Sequence, residues 1–209
     1  MNRRVVLGSL AGLLVLSGVG SVCAQAQKDN PTHPQAQAAA DDPMMQVWMK
    51  YATPSEGHKI FESLAGRWKH TIRWWTAPNT DPEISEGTNT NTLILGGRYL
   101  EQEAQGTAMG QSFEGRGISG FDNLTHEYQS VWIDNMGTGM MNSVGKYDAP
   151  TKTLTEQGTM DDCVTGDSKS PFRSVMKWAD DKHYTYEMYT RAPDGKEFRS
   201  MEILYERAQ

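Results

Sequence analysis

The hydrophobic rhythm of the chain changes twice. An apolar run from Val5 to Val22 follows the basic start Asn2-Arg3-Arg4 and closes on Val22-Cys23-Ala24. A charged beginning, an apolar middle and a small-x-small exit are the parts of a secretory signal, so residues 1–24 are expected to be a signal peptide. The run is just long enough to cross a bilayer, but its glycines, serines and cleavage-like end favour removal, leaving no transmembrane segment. A lipid-modified Cys23 is the competing expectation, and Gly20-Ser21-Val22 before it matches a lipidation signal poorly. From Gln25 to Asp42 there is no large apolar residue to bury, which predicts a flexible linker over 25–42 and a single domain over 43–209.

Thr53-Pro54-Ser55-Glu56 carries the residues of a helix start: a capping Thr, a first-position Pro and a Glu three places on. Ile60, Phe61 and Leu64 follow at helical spacing, and Gly66 is placed to stop the run. A short amphipathic helix is predicted over Pro54–Leu64, with a second apolar stripe, Met45, Trp48 and Met49, just ahead of it. After Gly66 the period drops to two. Short runs rich in Thr, Tyr, Trp, Val and Ile alternate with turn signals at 78–82, 96–97, 109–110, 122–123 and 137–139. Turn signals recur at 148–150, 165–166, 180–181 and 194–195, which divides the domain into about ten strands. Connections this short join antiparallel neighbours, and a long meander removes its edges by closing. The fold expected is therefore all-β: an antiparallel up-and-down barrel with a short N-terminal helix, a β-sandwich being the alternative. Phe121-Asp122-Asn123-Leu124-Thr125-His126 and Tyr147-Asp148-Ala149-Pro150-Thr151-Lys152 share an aromatic, an Asp and a Thr at matching places, as one hairpin geometry used twice would.

Charge narrows the partners. The chain has 20 basic against 26 acidic residues, and loss of Arg3 and Arg4 with the leader makes the remainder more acidic. Phosphate contact needs a basic surface, so nucleic-acid binding is not expected. After cleavage Cys163 stands alone, and no intramolecular disulfide can hold the fold.

Leu64-Ala65-Gly66-Arg67-Trp68 sets a Gly-x-Trp after a short helix and at the start of the first strand. That arrangement resembles the opening of lipocalins and other calycins. The resemblance implies structural roles for Gly66 and Trp68, with the Trp packed across the barrel base beneath an Arg near the chain end, here Arg207. More of the domain resembles an uncharacterised bacterial family, domain-of-unknown-function family 1579. The stretches that carry the likeness include ATPSEGHKIFESLAGRW, LGGRYLEQEAQG, FEGRGISGFDNLTHEYQSVWIDNMGTGMM and APDGKEFRSMEILYER. This resemblance implies a calycin-like barrel of bacterial origin, and it brings no activity and no catalytic residues.

Chemistry is sparse. Trp132 to Met141 reads as a Gly-rich hairpin that sets Met136 and Met140 beside Trp132 and Asp134. Pliable Met side chains, an aromatic and one carboxylate suit an apolar ligand pocket; the plainer reading is ordinary packing of a barrel end with a Gly-rich turn. With His70, Trp74 and Tyr186 from other strands they form the expected ligand-binding lining. No metal site is expected: there is no His-x3-His or Cys-x2-Cys spacing, nor the Met and His repeats of a copper site. A haem-ligating role for His70 or His183 lacks a motif, so no cofactor is expected. Glu101 and Glu103 share a strand face, as do Arg199 and Met201, and such pairs are mostly solvated. No nucleophile elbow or phosphate loop occurs, and two carboxylates beside Cys163 argue against a reactive thiol. The expected function is an exported, periplasmic or secreted protein binding a small, largely apolar ligand. The alternatives are an interaction domain with a filled barrel, presenting Met45–Tyr51 or Gly137–Met141 to a partner, and then an enzyme of unknown reaction.

Overall fold

The computed structural model describes residues 42–163 and 165–209; the expected signal peptide and all of the linker except Asp42 lie outside them. Two helices, α1 (Pro43–Ala52) and α2 (Lys59–Leu64), precede ten strands. The first five are β1 (Gly66–Trp74), β2 (Glu83–Ile94), β3 (Tyr99–Ala108), β4 (Gln111–Asp122) and β5 (Glu127–Asp134). They continue as β6 (Met141–Asp148), β7 (Thr153–Asp162), β8 (Asp167–Trp178), β9 (His183–Arg191) and β10 (Glu197–Arg207). Each strand pairs antiparallel with the next in sequence, and β1 pairs with β10 to close the barrel.

The period of two decides what faces inward. On β1, Trp68 and His70 are buried while Arg67 and Lys69 are exposed. On β8, β9 and β10 outward polar side chains pair with one another. Arg173 donates two hydrogen bonds to Glu197 (3.1 and 2.6 Å), and Arg199 donates to Glu187 (2.7 Å) and Glu202 (2.6 Å). The equal spacing of Arg199 and Met201 misleads here. The register of β10 shifts between them, so Arg199 sits opposite Tyr189 and Met201 opposite Met188. A β-bulge adds one residue to one strand, so the two side chains leave on opposite faces rather than sharing one.

The helical start also falls later than the residues suggest. A 3₁₀ turn (Glu56–His58) leads into α2, and Ser55, not Thr53, caps it. His58 takes the place of Glu in the capping box: its Nδ1 accepts the Ser55 N–H at 2.9 Å. Thr53 is engaged in ending α1, where its hydroxyl donates to the Met49 carbonyl at 2.7 Å. Glu56 pairs with Lys59 instead. The stripe at Met45, Trp48 and Met49 lies on α1, which buries no residue. Its C-terminal end is held by Arg98 Nε donating to the Ala52 carbonyl and by Asn123 donating to the Tyr51 and Thr53 carbonyls, each at 2.8 Å.

The two look-alike turns do share a geometry. In each the Asp bonds within the turn, Asp122 accepting from the Leu124 N–H and Asp148 from the Thr151 hydroxyl. Each then closes on a residue in the left-handed region, His126 (φ 55) and Lys152 (φ 51). A side chain there costs roughly 1–2 kcal/mol, part of which glycine recovers against its greater freedom when unfolded. Lys152→Gly is therefore expected to raise stability by about 0.5 kcal/mol, read from the midpoint of urea unfolding.

Candidate functional site in the barrel interior

The interior is layered. At the end where β1 begins, α2 plugs the barrel with Phe61 and Leu64, which pack on Trp68, Leu100, Tyr128 and Tyr184. In this base, burial pushes the Tyr128 phenol up to about 12, and its hydroxyl donates to the Gly57 carbonyl at 2.8 Å; the Tyr184 hydroxyl is buried there without a partner. Arg207 stacks over the Trp68 ring at 4.2 Å. Its guanidinium also donates to the Ala65 and Ser63 carbonyls, at 2.8 and 2.6 Å. Gly66 sits at φ 117, where an added Cβ would stand 2.9 Å from that guanidinium.

Above the base runs a belt of polar side chains. On one wall Ser119, Ser130 and Ser143 are register neighbours across β4, β5 and β6, and Glu156 on β7 faces Ser174 on β8. Ser130 Oγ lies 3.0 Å from Ser119 Oγ and donates to Glu156 Oε1 at 2.9 Å, and the Ser143 hydroxyl also reaches the carboxylate. Tyr186 bonds the Ser174 hydroxyl, and burial holds its phenol in the protonated form. Glu156 is only 7% exposed, and burial raises its carboxyl above the ordinary range, an effect the two serines partly offset. On the opposite wall His70 stands edge-on to Tyr205, with ring centroids 5.6 Å apart. Burial lowers the pKa of His70, partly countered by the neighbouring Asn89 side chain. His70 Nδ1 and Asn89 Oδ1 are buried without a hydrogen-bond partner, and such atoms in a native interior call for water or a ligand.

Toward the other end the interior becomes apolar, with Ile72, Trp132, Met188, Met201 and Ile203 at inward positions. Glycines thin the wall beneath the larger side chains. A Cβ on Gly115 would meet the Trp132 ring at 2.3 Å, and one on Gly145 would stand 2.0 Å from the Thr155 carbonyl and 2.7 Å from Glu156 Cγ. Met176, Tyr186, Ile203 and Tyr205 are half-buried although the wall surrounds them.

The expected binding residues divide between levels. His70 and Tyr186 lie in the belt, on β1 and β9, with β10 between them. Trp74 (41% exposed) stands at the upper end of β1, and Met136 (44%) and Met140 (60%) lie on the turn from β5 to β6 at that rim. Trp132 covers the glycines of β4 and donates through Nε1 to Asp134 Oδ2 at 3.0 Å. The other Asp134 oxygen accepts the Met136 N–H at 3.0 Å, so this carboxylate is engaged in fixing Trp132 and the turn. Glu156 was not among the candidates. Its one local signal is its place two residues after Leu154 on an alternating strand; the serines around it come from three other strands.

A family model described as Protein of unknown function (DUF1579) matches residues 53–207. The chain belongs to that family. No curated protein matches it. In fold the DUF1579 barrel is similar to a crystal structure of Rv2717c from M. tuberculosis, at 13% identity and a TM-score of 0.57, covering 75% of this chain and 100% of that one. A redesigned beta barrel matches at 13% identity and a TM-score of 0.36, over 71% of this chain and 95% of the other. Among the described residues of this DUF1579 chain, no group of three His, Cys, Asp or Glu could hold a metal ion. No helix among them is long and apolar enough to cross a membrane. A cavity of about 630 Å³ lies outside the wall, where Trp48 and Tyr51 of α1 face Ile118, Val131 and Val144.

Proposed function

We propose that this DUF1579 protein is exported and binds a small, largely apolar molecule inside its barrel, entering at the end away from α2. The graded burial of the interior carries this proposal. Side chains are buried at the base, whereas above it Ile72, Trp132, Met201 and Ile203 are half-buried beside the buried Phe172 and Met188, inside a wall of ten strands. Fold alone does not assign a ligand; unfilled room lined by apolar groups and a few convergent polar ones is what a binding cavity needs. Export rests on the leader-like pattern of residues 1–24. Native mass spectrometry of the protein purified from its own exported compartment is expected to reveal a bound mass that is lost on denaturation. A spectrum that stays empty after incubation with a lipid extract overturns the proposal. It would favour an interaction domain instead, for which the exposed Met44, Val47 and Trp48 of α1 are the supporting observation.

A further inference from the structure

We propose that the interior selects a ligand whose polar end is an ammonium group, an aliphatic amine seated against Glu156 with its apolar body toward the open end. This rests on the binding role proposed above and specifies the chemistry of the ligand's head.

The orientation follows from the layering. The belt lies beneath the apolar half, so an amphiphile satisfies both only with its head inserted first. The sign of the head follows from the charges at that depth. Glu156 is a 93%-buried carboxylate, taking its exposure of 7%, and the side chains bonding it are serine hydroxyls. Hydroxyls solvate a carboxylate but supply no countercharge. The basic residues on the two flanking strands point away: Arg173 of β8 is engaged outside with Glu197, and Lys146 of β6 with Glu127. His70 does not compensate either, since burial favours its neutral form. Burial raises the pKa of this carboxyl, so its ionised form is costly without a partner, and a counterion that arrives with the ligand removes that cost. A carboxylate head would instead set a second negative charge beside the first. On the far wall Asn89 Oδ1 is a buried acceptor without a partner. An ammonium brings three N–H donors and the missing charge together.

The test compares three probes with one chain length, dodecylamine, dodecan-1-ol and dodecanoate, each below its aggregation concentration at neutral pH. Binding is followed by calorimetry and by tryptophan fluorescence on the wild-type protein and on Glu156→Gln. Dodecylamine is expected to bind roughly tenfold or more tightly than either other probe. In Glu156→Gln it is expected to lose that advantage while dodecan-1-ol binds unchanged, which separates the interior site from general attraction of a cation to an acidic protein. Equal binding of the three probes, or an amine preference that survives Glu156→Gln, overturns the head-group assignment and leaves the binding role standing. Binding of none overturns both. Where the variant does not fold, the wild-type comparison repeated at raised salt makes the same separation: surface attraction is screened, a buried pair much less so, and an amine preference lost with salt overturns the assignment.

Discussion

Trp68→Ala is expected to cost about 3–5 kcal/mol, the range for removing a large aromatic from a packed core. The ring is 1% exposed and meets Tyr184 edge-on with centroids 4.7 Å apart. Its Nε1 donates to the Leu64 carbonyl at 2.8 Å, which also accepts from Asn91 at 2.9 Å. Removing the indole therefore opens a cavity at the plug, takes one of two donors from the end of α2, and leaves the Arg207 guanidinium without the face it covers. Trp68→Phe keeps most of the buried area and loses the N–H, so it is expected to cost about 1–2 kcal/mol. Urea unfolding followed by far-UV circular dichroism measures both. A loss under about 1.5 kcal/mol for the alanine variant would mean that the base collapses to fill the space.

Glu156→Gln is expected to act in the opposite direction, stabilising the protein by about 1–3 kcal/mol at neutral pH. Burial raises the folded-state pKa of Glu156. Between its unfolded and folded values the native state holds the extra proton, so this group's contribution to stability falls as pH rises and levels off once the folded carboxyl has ionised. Paired surface carboxylates run the other way. The hydrogen bond from Arg173 lowers the pKa of Glu197, and that from His183 lowers Asp180; both lose their contribution as pH falls. The difference between wild type and Glu156→Gln isolates the buried group. It should be near zero in mild acid and grow with pH. A variant less stable at every pH would show that the serine hydrogen bonds to the carboxylate outweigh its desolvation.

The strands and turns were legible because their determinants are local. Asp122 and Asp148 set turns through their own side chains within a few residues, and alternation from Trp68 onward marks which positions face inward. Helix entry was harder to read. Thr53 and Ser55 are both competent caps, and the choice is made by α1, which recruits Thr53 to its own end. The bulge of β10 is set by its pairing with β9, so nothing in Arg199-Ser200-Met201 alone announces that the face changes. The interior site suffers from the same limit. Single serines at 130, 143 and 174 carry no signal in sequence, and only the barrel brings them around Glu156. Asp134 drew notice through its Gly-rich neighbourhood, yet that turn consumes its oxygens.

The meander has a kinetic consequence. Nine of the ten strand pairings join sequence neighbours, and hairpins of that kind form in roughly 1–10 μs. The seam between β1 and β10 instead joins Trp68 to Arg207 across almost the whole domain. It carries the largest loop-closure entropy in the fold, although that cost grows only logarithmically with length. Before it forms, β1 and β10 each present an open edge able to recruit another molecule. During synthesis β10 emerges after every other strand, so the nascent barrel stays a curled sheet with an exposed edge until it arrives. Folding yield, more than equilibrium stability, is thus where damage to β10 would be felt first.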